Sequence, residues 1–162
     1  MKRAYIVLAR LIAALVVVQV AAIAWGTFAM LHDIDNGAVI TSDTRNFAQS
    51  LHANVGYIVI PAVALIFFVV SFFLKIPGAV KWASIVFGLV ALQGILAGLS
   101  FAAPVVGALH GLNALAIAGM SAAAAQRLRT TAPHDASSAE TPAEYAETKA
   151  RTRRFGRGRA SV

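Results

Sequence analysis

Four runs without a single Asp, Glu, Lys or Arg set the terms for this chain: residues 11–30, 47–74, 82–103 and 105–125. A hydrocarbon core about 30 Å thick is crossed by roughly 20 helical residues, so each run is long enough to span it. Barrel strands alternate apolar and polar residues, whereas these runs are continuously apolar, which excludes a β-barrel reading. The expectation is an all-α integral membrane protein. An antiparallel four-transmembrane-helix bundle occupies residues 1–126, and a disordered basic cytoplasmic tail follows at 127–162. Composition points the same way: only 13% of residues are charged, against roughly 25% in soluble domains.

Met1-Lys2-Arg3 ahead of an apolar run resembles the start of a signal peptide. The run is longer than the about 7–15 residues of a signal core, and Arg10 would interrupt it. It therefore reads as an uncleaved first span. Orientation follows from the positive-inside rule. With the N-terminus inside, Lys2, Arg3, Arg10, Lys75, Lys81 and every basic residue after Ala125 face the cytoplasm. Arg45 alone of the fourteen Lys and Arg lies outside, near Asp33, Asp35 and Asp43. Both termini are thus expected in the cytoplasm, and the lipid bilayer is the first partner. The net charge of +7 reflects this asymmetry and the tail, and no nucleic acid is expected as a partner.

The connections are short. Residues 32–46 form a polar external loop with an Asn36-Gly37 turn signal. Lys75–Lys81 is a Pro-Gly turn, and Pro104 suits the first turn of the fourth helix. Short loops make sequential helices neighbours. The tail has few large apolar groups, the composition of a disordered segment. Its end, K-A-R-T-R-R-F-G-R-G-R, either binds anionic lipid headgroups, at about 1 kcal/mol per basic residue, or is simply solvated.

Two histidines stand inside the apolar runs, in S-L-H-A-N-V-G-Y (50–57) and A-L-H-G-L-N-A-L (108–115). A weak repeat accompanies them: L-V-V-V-Q at 15–19 resembles L-V-A-L-Q at 89–93. If the hairpins repeat, their symmetry axis lies along the membrane normal, as both begin on the same side. His52 and His110 would then face each other across the bundle. Ionisable groups inside spans are costly and mark functional sites. Imidazole is a standard haem ligand, and a flat macrocycle needs small residues beside its ligands. Gly56 lies four residues after His52, Gly107 and Gly111 flank His110, and helix three adds Gly94 and Gly98. Such glycines equally suit plain helix packing. With no cysteine in the chain, covalent haem attachment, thiolate metal sites and disulfides are excluded.

The expected site is therefore a single haem b with His52 and His110 as axial metal ligands near the external face. Gly56, Gly107 and Gly111 make room for it, and Asn113 orients the imidazole or meets a propionate. One count opposes the pairing. At 1.5 Å per residue from Leu74 and Arg127, the two histidines differ in depth by roughly 8 Å. Tilt, a kink at Pro61 or an interfacial start to the Lys75 loop is needed to bring them level. The competing reading is that each histidine donates one hydrogen bond for packing, as in a non-haem structural or assembly subunit of a larger membrane complex.

Other residues carry weaker signals. His32, at the end of helix one, is a candidate for a second ligand site, and His134 in the tail reads as solvated. Gln19 and Gln93 fall near mid-membrane, where they glue helices together or meet a quinone carbonyl; glue is the favoured role. Trp25 and Trp82 suit interfacial anchoring. No span carries a charge in its middle, which argues against an ion or proton pathway. No nucleophile, base and orienting group are set up for hydrolysis.

The two Leu-His motifs, in helices two and four of a four-helix chain, resemble those of a family of small bacterial membrane proteins, a domain of unknown function. The resemblance covers about residues 1–127 and implies the bacterial inner membrane. Four helices with membrane histidines are also distantly similar to the cytochrome b561 group, whose members carry one bis-histidine haem near each face. No histidine lies at the cytoplasmic end here, so only the outer haem is implied. Electron transfer follows as the expected function, with quinone as a candidate second cofactor. Quinol, an electron-transfer partner or a larger respiratory complex, and a second copy of the chain are the candidate partners.

Overall fold

The structure, a computed structural model, describes residues 1–41 and 43–130. Among these residues it contains helices and turns and no strand. Four helices are long and apolar enough to cross a membrane: α1 (Lys2–Asp35), α2 (Phe47–Phe72), α3 (Ala79–Ala102) and α4 (Val106–Thr130). All four predicted spans are present, with shifted ends. Helix α1 is the most extended, running from Lys2 to Asp35 rather than from 11 to 30. Helix α4 continues through Thr130, so residues 127–130, assigned to the tail from composition, are helical. The remainder of the expected disordered tail, with His134 and the 149–159 basic run, lies outside the described residues.

Local chemistry sets these ends. Asn36 and Gly37 stop α1, Gly37 with φ of +88°, a conformation open to glycine at little cost. Asn46 begins α2 with a reciprocal capping box, its side chain accepting from the Gln49 amide while Gln49 accepts from the Asn46 amide. Gly78, φ +83°, turns the chain into α3. Pro104 sits in the turn just before α4 rather than within its first turn. Helix α2 widens into a π-helical turn at Val55–Val59, where the Ile60 amide reaches back to the Val55 carbonyl. Pro61 follows directly. A proline has no N–H and its ring crowds the carbonyl one turn back, and a wider turn is one recognised way for a helix to absorb such a disruption.

The helices pack in chain order, and α1 against α4 closes the ring, which leaves α2 and α4 on opposite sides of it. Packing is densest at one end. Tyr5 and Phe67 are fully buried with ring centres 4.5 Å apart, and the Tyr5 hydroxyl donates to the Ala79 carbonyl at 3.1 Å. Buried alanines at 9, 64, 79, 83, 124 and 125 complete this core. Small side chains let helix backbones approach closely, which favours packing where lipid supplies no hydrophobic drive. The outward faces carry large apolar groups such as Val17, Ile66, Phe72 and Ile95, the reverse of a water-soluble surface.

At the other end α1 and α2 touch through Gly26. A methyl group there would stand 2.8 Å from Gln49 Cγ and 3.0 Å from the Gln49 backbone nitrogen. Asn46 Nδ2 donates to the Gly26 carbonyl at 2.7 Å, locking the start of α2 to the last third of α1.

Candidate functional site

Away from the alanine-rich core the helices form a partly open cavity of about 140 Å³ lined by all four of them. Its walls are mainly apolar, and small residues stand among the larger ones: Ala53 and Gly56 from α2, Gly94 and Ala97 from α3, Gly111 and Ala114 from α4. His52 and His110 both face this cavity. Their ring centres are 6.3 Å apart at an interplanar angle of 62°. The depth mismatch counted from sequence is therefore absent. Twenty residues separate His52 from the end of α2 at Phe72, and twenty separate His110 from the end of α4 at Thr130. The count went astray because it ended α4 too early and α2 too late.

Each imidazole is held in the same way. His52 Nδ1 lies 3.1 Å from the Gln19 carbonyl, and His110 Nδ1 lies 3.3 Å from the Gln93 carbonyl. A carbonyl only accepts, so each Nδ1 carries the proton and each Nε2 is left with its lone pair. This is the arrangement by which ligand histidines are usually oriented, one ring nitrogen on a carbonyl and the other turned to the metal. The weak sequence repeat thus has a structural counterpart. The glutamine closing each L-V-x-x-Q stretch supplies the carbonyl that anchors the histidine of the next helix.

The glutamine side chains differ. Gln93 Nε2 donates to His110 Nε2 at 3.1 Å and to the His110 carbonyl at 3.0 Å. Its Oε1 accepts from Asn113 Nδ2 at 2.6 Å, and Asn113 also donates to the Leu89 carbonyl at 2.9 Å. Gln19 also lines the cavity and is only 7% exposed, yet neither its Oε1 nor its Nε2 has a hydrogen-bond partner. Helical glue is thus a correct description of Gln93 and not of the Gln19 side chain.

Of the other residues read from sequence, Gly56 and Gly111 line the cavity. Gly56 lies against Gln19, whose Oε1 would be 3.4 Å from a methyl group added there. Gly107 is elsewhere, beside Ser100 at an ordinary contact distance. Asn113 is buried and acts on the imidazole indirectly, by fixing the Gln93 amide. His32 is exposed at the end of α1 and pairs with Asn36, 3.2 Å from its Nε2; it is not part of the cavity wall. Trp25 is exposed and packs edge-on against Phe47, while Trp82 lies under the Arg127 guanidinium at 4.5 Å. The glutamine carbonyls and the unpartnered Gln19 amide are what sequence reasoning missed. The repeat itself was the signal that pointed to them.

Two imidazoles on one metal have a simple geometry. Each nitrogen stands about 2.0–2.1 Å from the metal and roughly 1.1 Å from its own ring centre, so the ring centres lie roughly 6–6.5 Å apart when the metal is in line. The separation of His52 and His110 falls in that range. Among the described residues no group of three or more His, Cys, Asp or Glu is assembled, so a ligand held here depends on the two histidines and on the ligand's own donors. A tetradentate macrocycle meets that condition, since it supplies four donors itself. No family model, curated protein or solved structure matches this chain.

Proposed function

We propose that this chain is a membrane haem b electron-transfer protein, cytochrome b-like, with one bis-histidine haem held by His52 and His110. In this reading the four helices cross the bacterial inner membrane as an antiparallel bundle with both termini in the cytoplasm. The haem then lies near the external face. The observation that carries the proposal is the matched pair of imidazoles. Each is anchored through Nδ1 to a backbone carbonyl, and their centres are 6.3 Å apart across an apolar cavity. The exposed apolar faces of all four helices support immersion in lipid.

Haem, when bound, supplies one-electron redox chemistry. The chain's own part is to hold and insulate it. The Gln19 and Gln93 carbonyls fix the ring tautomers and so place each lone pair on Nε2, the nitrogen that would meet a metal. Small residues leave room for a flat ring, and the apolar wall keeps water from it. His52 and His110 would hold the haem between them, and a haem held by two histidines would favour electron transfer over oxygen binding. The electron donor in this reading is membrane quinol, and the acceptor is an external or membrane partner. A single haem near one face does not connect the two sides of the bilayer. The protein is therefore a relay or a subunit, alone, as a homo-oligomer or within a respiratory complex.

One observation favours the competing reading, a non-haem structural or assembly subunit. Gln93 occupies the His110 Nε2 lone pair, which is how a packing histidine is satisfied and what a metal has to displace. A visible spectrum separates the two. Protein purified from haem-replete cells is expected to show a Soret band and, after dithionite reduction, sharp α and β bands. Both His52→Ala and His110→Ala should lose them. A colourless wild-type protein after haem supplementation overturns the haem reading and leaves the packing one.

A further inference from the structure

The buried Gln19 amide has no role in the anchoring described above, where only the backbone carbonyl of that residue takes part. Its position shows why it stands alone. Aligning the two Leu-His motifs places His52 with His110 and Val55 with Asn113. Asn113 engages the Gln93 side chain, whereas Val55 has no polar group to offer Gln19. One half of the site closes on itself, and the other half keeps a buried acceptor and a buried donor without partners, on a residue of the cavity wall. An unsatisfied buried polar group costs about 1–3 kcal/mol, a cost that a ligand with matching groups would remove.

We infer that Gln19 is a binding residue for the group held between the histidines, and that its amide pairs with a carboxylic acid carried on the edge of that group. The inference rests on the haem reading above. A primary amide presents a carbonyl acceptor and an N–H donor side by side. A neutral carboxylic acid presents an O–H donor and a carbonyl acceptor in the same arrangement, so one group satisfies both unpartnered atoms. The apolar surroundings favour that neutral form, because desolvation disfavours the carboxylate. Haem b carries such side chains. A metal ion alone does not, and neither does a porphyrin with only alkyl substituents.

The test compares wild-type protein and Gln19→Leu as full chains in detergent. Each is titrated with three iron porphyrins: haem b, its dimethyl ester and iron octaethylporphyrin, which has no carboxyl group. Binding is followed by the Soret band, and the thermal unfolding of the cofactor-free proteins is measured in parallel. Gln19→Leu is expected to weaken haem b roughly tenfold, the effect of losing about two neutral hydrogen bonds. It should weaken the ester less, and leave iron octaethylporphyrin unchanged. The cofactor-free variant should melt at a higher temperature than wild type, because an unpartnered amide has been removed. Equal weakening of all three porphyrins, or no weakening of haem b, overturns the assignment while the haem reading stands. Failure of wild-type protein to bind any of the three removes both. Gln19→Glu is a second variant that keeps a carbonyl and the side-chain length. It should retain more haem b affinity than the leucine variant, and the reverse order counts against the pairing.

Discussion

The two hairpins of this molecule are built on one plan and finished differently. In both, a glutamine in the first helix offers its backbone carbonyl to a histidine of the second. In α3–α4 the glutamine side chain is then tied to the histidine and to Asn113. In α1–α2 it is tied to nothing. The hairpins also differ in closeness. α1 and α2 meet at Gly26 with no room for a methyl group, whereas the α3–α4 glycine at 107 has ordinary clearance. Duplicated geometry thus serves what both halves must do, which is to present an imidazole. Divergent side chains serve what one half does alone.

Changes at the histidines should have the largest effect. If the halves are equal partners, His52→Ala and His110→Ala each abolish the reduced haem bands completely. Loss in only one variant breaks the equivalence and moves the second ligand elsewhere, with His32 the next to examine.

Glycine substitutions probe closeness. Gly26→Ala must push Gln49 and the start of α2 away from α1. Overpacking of this kind costs about 1–3 kcal/mol, seen as a clear fall in melting temperature in detergent. Gly107→Ala, the comparison in the other hairpin, should cause no loss. Equal effects at the two positions would show that the hairpins are packed alike.

A smaller effect is expected from exchanging the third pair. Asn113→Val removes the partner of Gln93 Oε1 and should cost about 1 kcal/mol, since interhelical hydrogen bonds in membranes are worth about 0.6 kcal/mol on average and seldom much more. Val55→Asn gives Gln19 a neighbour like the one Gln93 has. It should stabilise the cofactor-free protein by less than about 1 kcal/mol and, by occupying Gln19, weaken haem b binding. A stabilised variant with undiminished haem affinity would mean that the free amide serves no ligand.

Most of the fold was legible because membrane-length apolar runs are a one-dimensional signal. The existence of four helices needs no knowledge of which helix touches which. Their ends were less legible. Ala122–Ala125 carry no polarity contrast with a helical continuation, so the change in composition at Gln126 looked like an end when α4 in fact runs four residues past it. The candidate site was half legible. His52 and His110 stood out because charge-capable groups are rare in such runs, and Gly56 and Gly111 followed from their spacing. Gly107 did not join the cavity, because it lies one turn nearer the start of α4 than Gly111, on the same side of the helix but level with Ser100. The carbonyls of Gln19 and Gln93 were illegible as the histidines' anchors, since every residue has a carbonyl and only packing selects one.

The sequence by itself determined that this chain forms four apolar helices and that two imidazoles stand among residues that otherwise avoid polarity. Those are properties of hydropathy and charge summed along the chain. Tertiary structure alone decided that the imidazoles come to one level, that a π-helical turn precedes Pro61 in α2, and that Gln93 finds partners while Gln19 does not. Hydrogen bonds depend on angstrom-scale distances between different helices. A sequence carries the donors and acceptors, but their pairing exists only once the helices have packed.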